Sequence, residues 1–398
     1  MPQRPHEGSK QALRTRRPNI VVILTDDQGC WALGCAGNPE LRTPNLDRLA
    51  ATGTRFDNFF CASPVCSPAR ASLLTGGIPS QHGIHDWIRG GNMDGGGDHA
   101  IEYLRGLTAY TEILASTGYV CGLSGKWHLG DSLRPQKGFT HWFAHQTGGS
   151  NYYGAPMIRE GTPYDEPRYV TDAITDDALE FIARQRGAGQ PFYLSVHYTA
   201  PHSPWDYGQH PAEIVARYRD CPFASCPDVP AHPWQVATAP RGTGARRREL
   251  LAGYFAAITA LDRNVGRIID AIEAGGLRED TLFLFTSDNG MNMGHHGLFG
   301  KGNATFPQNM YDTSVKVPAI LTLPGRVAQG AVEPGLFSHY DIMPTLLDWL
   351  GLAHPDAARL PGISFAPLLR GDGMAGRDHV VVLDEYGPVR MVRDRRWK

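Results

Sequence analysis

The chain has 398 residues, with 38 lysines and arginines against 40 aspartates and glutamates, 41% hydrophobic residues and 20% charged ones. A formal charge of −2 and no basic run longer than Arg246-Arg247-Arg248 remove any electrostatic case for nucleic acid or an anionic membrane surface as partner. No apolar run reaches the ~18 to 20 residues that span a bilayer, residues 1–17 are polar and basic with no apolar signal-peptide core, and the odd number of cysteines, seven, fits reduced thiols. The chain as given therefore reads as cytoplasmic, or periplasmic if an upstream segment has been removed, with residues 1–17 a disordered tail.

In chain order the sequence predicts a strand over 20–24, helices over 44–51, 68–74 and 108–116, a strand over 119–123, a helix over 173–183, a strand over 192–196, a helix over 250–274 and a strand over 282–285. Short apolar runs bounded by turn residues and alternating with helical patterns are the signature of parallel strands joined by crossover helices. The basic stretch 241–248 reads as a solvated, mobile connection running into a helix start. Each strand leads into a loop carrying ionisable groups: Asp26 and Asp27, then Lys126 and His128, then His197 and His202, then Asp288 with Asn289. Ligands bind at the carboxyl ends of strands in open α/β sheets, so these four loops are expected to converge on one site.

The chemistry of those loops is specific only in combination. Asp26-Asp27 alone is also a cap or turn, and Asp288-Asn289-Gly290 a favoured turn sequence. Together at one sheet edge they make an all-oxygen site for a hard divalent ion, Ca²⁺ or Mg²⁺. Cys66-Ser67-Pro68-Ala69-Arg70 starts a helix, with Pro68 in its first turn and Thr75-Gly76-Gly77 ending it. Position 66 then sits at the positive end of the helix dipole and Arg70 returns one turn later, an arrangement suited to an anionic group; a small buried cysteine with a structural arginine fits the same residues. Lysine is scarce, six of the 38 cationic residues, so Gly125-Lys126 and Gly300-Lys301-Gly302 stand out as close point contacts to an anion's oxygens. His128 and the proline-flanked His202 are acid/base candidates. Cys221 and Cys226 could pair or bind metal, but no second Cys/His pair stands at zinc-like spacing.

As a set these residues resemble the formylglycine-dependent sulfatases of the alkaline phosphatase-like superfamily. The matching segments are Pro18-Asn19-Ile20 through Asp27, Thr43-Pro44-Asn45-Leu46-Asp47, Cys66 to Arg70 with Leu74-Thr75-Gly76, Gly125 to Gly130, Pro201-His202, Ser287 to Gly290 and Gly300-Lys301. The resemblance implies an α/β fold with a mixed, mostly parallel sheet flanked by helices, a catalytic domain over 18–375 and the start of a small antiparallel C-terminal subdomain, apparently truncated, over 376–398. It implies that a separate maturation enzyme converts Cys66 to formylglycine, whose hydrated form attacks the sulfur of a sulfate ester. It assigns the metal to Asp26, Asp27, position 66, Asp288 and Asn289. Arg70, Lys126 and Lys301 would hold the nucleophile and neutralise sulfate charge, His202 would protonate the leaving alcohol, and His128 would take a proton from the second hydroxyl so that sulfate is expelled. Ser150 would add a sulfate contact. The stretch Tyr311-Asp-Thr-Ser-Val-Lys-Val-Pro318 departs from the family's Tyr-Glu-Gly-Gly-Val-Arg-Val-Pro.

For substrate, loop 85–99 offers Asp86, Trp87, Arg89, Asn92, Asp94 and Asp98, and 141–153 offers His141, Trp142, His145, Asn151, Tyr152 and Tyr153. Aromatic platforms among polar groups, with Trp87 and Arg89 foremost, suit the ring of a sugar or oligosaccharide sulfate; a choline-like head group or plain loop packing fits the same composition. The alternatives are a phosphonate or phosphodiester hydrolase using the same nucleophile, and a catalytically silent metal-binding homologue.

Overall fold

The run Asn19–Thr25 is apolar at nearly every position because both of its faces are covered. Val21 and Ile23 enter one core, while Ile20, Val22 and Leu24 enter another on the opposite face of the sheet, all of them fully buried. Each such aliphatic side chain contributes about 1.5 to 3 kcal/mol by leaving water. The structure, a computed structural model, describes residues 17–89, 100–370, 372–374, 376–384 and 387–398.

In chain order the main elements are β1 (Asn19–Thr25), α1 (Pro44–Ala51), β2 (Thr54–Phe60), α2 (Cys66–Thr75), α3 (Tyr110–Ser116), β3 (Val120–Lys126), β4 (Phe139–His145), β5 (Ala155–Arg159), β6 (Thr162–Glu166), α4 (Val170–Gln185), β7 (Phe192–His197), α5 (Gly244–Ala274) and β8 (Thr281–Ser287). They continue with β9 (Asn292–Met293), β10 (Phe299–Gly300), β11 (Lys316–Val317), β12 (Ala319–Thr322), β13 (Ala331–Ser338), α6 (Ile342–Leu350), β14 (Val380–Leu383) and β15 (Arg390–Arg393). The large sheet runs β11-β2-β12-β8-β1-β7-β3-β4-β5-β6, with β13 also pairing β2. Its centre, β8-β1-β7-β3-β4, is parallel. The flanks β12, β11, β5 and β6 are antiparallel. Helices α4 and α5 pack on one face and α2, α3 and α6 on the other. This is the mixed, mostly parallel α/β sandwich expected.

The four predicted strands are the central ones, and two run further than expected. Strand β3 ends at Lys126 and β7 at His197, so these residues are the last of their strands rather than loop residues. Of the unpredicted strands in the large sheet, β4 closes the parallel centre and the others lie to the flanks: β2 mixes buried and half-buried residues, and β6 is mostly exposed and carries Pro163. The stretch 241–248 enters α5 at Gly244, so Arg246, Arg247 and Arg248 lie in a helix start and not in a free linker. Strands β14 and β15 pair antiparallel, as expected for the C-terminal segment. They pack onto the main body through Val380, Val382 and Met391 and a bond from the Leu383 amide to the Ala62 carbonyl.

Candidate active site

Strand register brings the charged residues together. Leu24 and Gly125 both lie beside His197, and Thr25 beside Ser287, so the residues that follow emerge at one edge of the parallel centre. Gly125 has φ +115°, and a Cβ there would lie 2.0 Å from the His197 carbonyl oxygen; only glycine allows β3 to end this close to β7. Two buried histidines brace the strand ends. Burial lowers His197 to about 3 and His339 to about 4. Each is therefore neutral, and its one N–H donates: His197 Nδ1 to the Lys126 carbonyl at 3.2 Å, His339 Nε2 to the Ser287 carbonyl at 3.0 Å.

Three buried carboxylates meet three buried cations at that edge. Lys126 Nζ lies 2.5 Å from Asp26 Oδ2, Lys301 Nζ 2.5 Å from Asp27 Oδ1, and Arg70 Nε donates to Asp288 Oδ2 at 3.0 Å. Burial and the neighbouring Asp288 raise the Asp26 carboxyl above the usual range. Burial works the same way on Asp27 and Asp288 and is the largest single influence on each, but the surrounding charges and hydrogen bonds together outweigh it, led by Lys301 at the first and by Arg70, Lys126 and Lys301 at the second, and hold both low. One oxygen of each of two side chains remains buried without a protein partner among the described residues: Asp26 Oδ1 and Asn289 Oδ1. Ligand atoms of Asp26, Asp288 and Cys66 lie within 4.8 Å of one another, as do those of Asp26, Asp27 and His202. An oxygen-rich cluster with unpartnered buried oxygens fits a hard divalent cation.

Cys66 is the first residue of α2, after the extended Val65, and Gly76 ends the helix in the left-handed region. Cys66, Ser67 and Arg70 are all buried. Lys301 Nζ approaches Cys66 Sγ to 2.7 Å, yet burial pushes the thiol up to about 12, so at neutral pH it is a protonated, weak nucleophile. His128, at φ +56°, donates from Nε2 to the Ile88 carbonyl at 2.8 Å. Burial and Lys126 hold it neutral, which leaves Nδ1 a buried lone-pair acceptor. His202 Nδ1 donates to the Ser203 carbonyl at 2.7 Å, and its Nε2 stands 3.7 Å from Asp27 Oδ2.

A cavity of about 530 Å³ opens over these groups, lined by Asp27, Cys66, His128, His202 and Lys301, with Trp87 at its rim. That is a pocket able to hold a ring-sized ligand.

A family model described as Sulfatase matches residues 18–352. The chain belongs to the sulfatase family. This sulfatase is 32% identical to human arylsulfatase A over 93% of the chain and 71% of that protein. It is 26% identical to the N-acetylglucosamine-6-O-sulfatase of Bacteroides thetaiotaomicron over 93% of the chain and 74% of the relative. A solved structure with D-glucosamine-2-N,6-O-disulfate bound superposes with TM-score 0.78 at 23% identity, over 95% of this chain and 87% of that one, which supports the shared fold. The enzyme is a sulfuric ester hydrolase.

Not every candidate residue of this sulfatase reaches the cavity. Ser150 turns its hydroxyl to His145 Nε2 and the Asn151 carbonyl, both at 2.9 Å, and lines a neighbouring depression. Arg89 is exposed and does not line the cavity, and Asn92, Asp94 and Asp98 lie outside the described residues. The expected platform over 141–153 is largely framework: Trp142 and Tyr152 are buried in the cores, His141 binds Asp177, and Tyr152 donates to the His202 carbonyl. Cys221 and Cys226 are unpaired thiols. In the departing stretch, the hydroxyls of Thr313 and Ser314 both bond Asn292, so the side chains that replace glycine are absorbed by a polar partner.

Other wall residues carried no sequence signal, namely Trp205, Asn303 and Met291 together with Val236, Thr238 and Pro240. Gly148 and Gly149 carried no sequence signal as supports either. A Cβ at 148 would meet the His128 ring at 2.3 Å, and one at 149 the His202 ring at 3.0 Å. Among the described residues no helix is long and apolar enough to cross a membrane.

Proposed function

We propose that this sulfatase removes sulfate from a sugar, with formylglycine derived from Cys66 as nucleophile and Ca²⁺ held by Asp26, Asp27, Asp288 and Asn289 beside position 66. The observation that carries the reading is Cys66 Sγ at the foot of the cavity, 2.7 Å from Lys301 Nζ and beside carboxylates with an unpartnered buried oxygen. The protonated thiol itself is unsuited to attack, and formylglycine supplies an oxygen nucleophile in its place. The cation, when bound, supplies Lewis-acid polarisation of the ester and acidifies the attacking hydroxyl.

The chain's own residues supply the rest. Lys126, Lys301 and Arg70 present fixed positive charge in a dry site where negative charge spreads over the sulfate oxygens, with little reorganisation during reaction. His202 Nε2 delivers a proton to the departing sugar oxygen. His128 Nδ1, kept free by the Nε2 bond to Ile88, accepts the proton whose removal releases inorganic sulfate and frees the site without water attacking at sulfur. Because Cys66, Ser67 and Arg70 are buried in the folded chain, the maturation enzyme would read their segment before folding is complete. The sugar is supported by the named activity of the Bacteroides relative and by Trp87, 45% exposed at the rim.

The test is the mass of the tryptic peptide holding Cys66 after co-expression with a maturation enzyme, together with sulfate release from N-acetylglucosamine 6-sulfate and 4-nitrophenyl sulfate. A mass lower by about 18 Da, the change from thiol to aldehyde, with activity abolished by Cys66→Ala is expected; activity that survives the substitution overturns the nucleophile. Chelation should abolish turnover, and Ca²⁺ should restore it and raise the melting temperature, since a cation bound at 100 times its Kd adds about 2.7 kcal/mol. Restoration by Mg²⁺ alone would reassign the ion, and faster cleavage of a matched phosphonate ester than of the sulfate ester would reassign the reaction.

A further inference from the structure

The cavity over Cys66 does not end at His202. A second depression of about 640 Å³ adjoins it, and Gly149, His202, Ser203, Trp205, Thr238 and Pro240 line both, so the two are one elongated cleft with His202 at the junction. Ser150, Asn151, Asp206 and Arg246 belong to the second part alone. We propose that this second part is a subsite for the next sugar ring of an oligosaccharide substrate, and that it takes a neutral ring rather than one bearing a second sulfate. The position of the sulfated ring rests on the function proposed above; the existence of the subsite does not.

The direction of the substrate follows from the junction. With the sulfate at Cys66 and the leaving oxygen served by His202 Nε2, the sugar that carries that oxygen sits on the His202 side. Anything linked to it has the second depression as its continuation. Gly149 keeps this passage open, since a Cβ there would press on the His202 ring.

The preference for a neutral ring follows from charge. The charged side chains lining the second part are Asp206 and Arg246. Arg246 Nη1 already donates to two carboxylates, Asp206 Oδ1 at 2.6 Å and Glu249 Oε2 at 2.8 Å, so the lining pair carries no net charge and its guanidinium is already countered. A second sulfate would have to compete with Asp206 and Glu249 for Arg246, whereas sugar hydroxyls find donors and acceptors in the Asn151 amide and the Asp206 carboxylate. Asn151 is held in place by Gln209 Nε2, which donates to its Oδ1 at 3.2 Å.

The experiment compares kcat/KM on N-acetylglucosamine 6-sulfate and N-acetylgalactosamine 6-sulfate with the same residues linked to a neutral galactose and to a galactose 6-sulfate, and takes 4-nitrophenyl sulfate as reference. The neutral disaccharide is expected to exceed its monosaccharide by about tenfold or more and the disulfated one to lose that gain, with Asn151→Trp lowering the disaccharide-to-reference ratio by a similar factor. Equal rates on monosaccharide and neutral disaccharide for both sugars, or a ratio untouched by Asn151→Trp, overturn the subsite. Saturation-transfer NMR of the two unsulfated disaccharides tests it without turnover: transfer to the galactose protons that Asn151→Trp abolishes supports the subsite, and its absence in the wild type overturns it. Failure to cleave any sulfate ester alongside positive transfer would strike the proposed function and leave the subsite standing.

Discussion

A Cβ at position 148 would lie 2.3 Å from Cε1 of His128, so the imidazole holds its place only because residue 148 has no side chain. The same edge of the ring carries Nε2, 2.4 Å from that Cβ position, which bonds the Ile88 carbonyl, so a ring pushed aside gives up that bond. Gly148→Ala should lower kcat by about 100-fold, the order expected from an ångström-scale misplacement of a reacting group. Calorimetry should show the melting temperature hardly moved, which separates a positioning effect from unfolding; a variant with full kcat would show that His128 is not held for catalysis. The residue types at the site were legible because Asp, Asn, Lys, His and Cys in those pairs serve few purposes together. The glycines that shape it were not, because a glycine's role is defined by what approaches it.

At the scale of elements, helix α1 is capped from another helix. Thr43 makes no capping bond to α1; instead Asp262 of α5 accepts from the amides of Asn45 and Leu46 at 3.1 and 2.8 Å and from Asn45 Nδ2 at 3.0 Å. Burial raises the Asp262 carboxyl to about 6, so this cap works against desolvation and is sustained by the three donors. Asp262→Ala should cost about 2 kcal/mol, the sum of a lost cap and buried donors left unpaired. The shift is read as a lower urea midpoint at unchanged slope, with kcat within about twofold of the wild type. A midpoint that does not move would mean that water caps α1 equally well. The sequence could mark α1 by Pro44 and its apolar spacing, but a partner 217 residues from Asn45 is a tertiary fact.

The whole molecule carries an acid liability. Burial lowers His82 to about 3 and His145 and His210 to about 4, so all three are neutral in the folded chain at pH values where the unfolded chain holds them charged. The sign follows from linkage: the unfolded state binds more protons below its histidine pKa of about 6.5, so stability is full above that pH and falls as pH drops toward 4. At pH 5 each of the three costs about 2 kcal/mol. Thermal scans of the metal-loaded enzyme between pH 7.5 and 5 should show a steadily falling melting temperature, and His82→Gln should flatten the slope. A melting temperature independent of pH across this window would show that these rings titrate alike folded and unfolded.

What the sequence by itself determined is four of the five strands of the parallel centre and the reactive residues. Strands β1, β3, β7 and β8 are covered on both faces, so their apolar runs are unbroken, and the charged residues that follow must surface at the same edge. The Cys66 to Arg70 segment writes a helix start through Pro68 and an end through Gly76. Tertiary structure decided the flanks and the cavity. Strands β2, β4, β5, β6 and β11 to β13 are too short or too mixed in polarity to announce themselves, because none of them offers a long unbroken apolar run. Which aromatics face the substrate was decided the same way: Trp142 and Tyr152 are filled into the cores and Trp87 is left at the rim, a choice set by packing between segments distant in the chain.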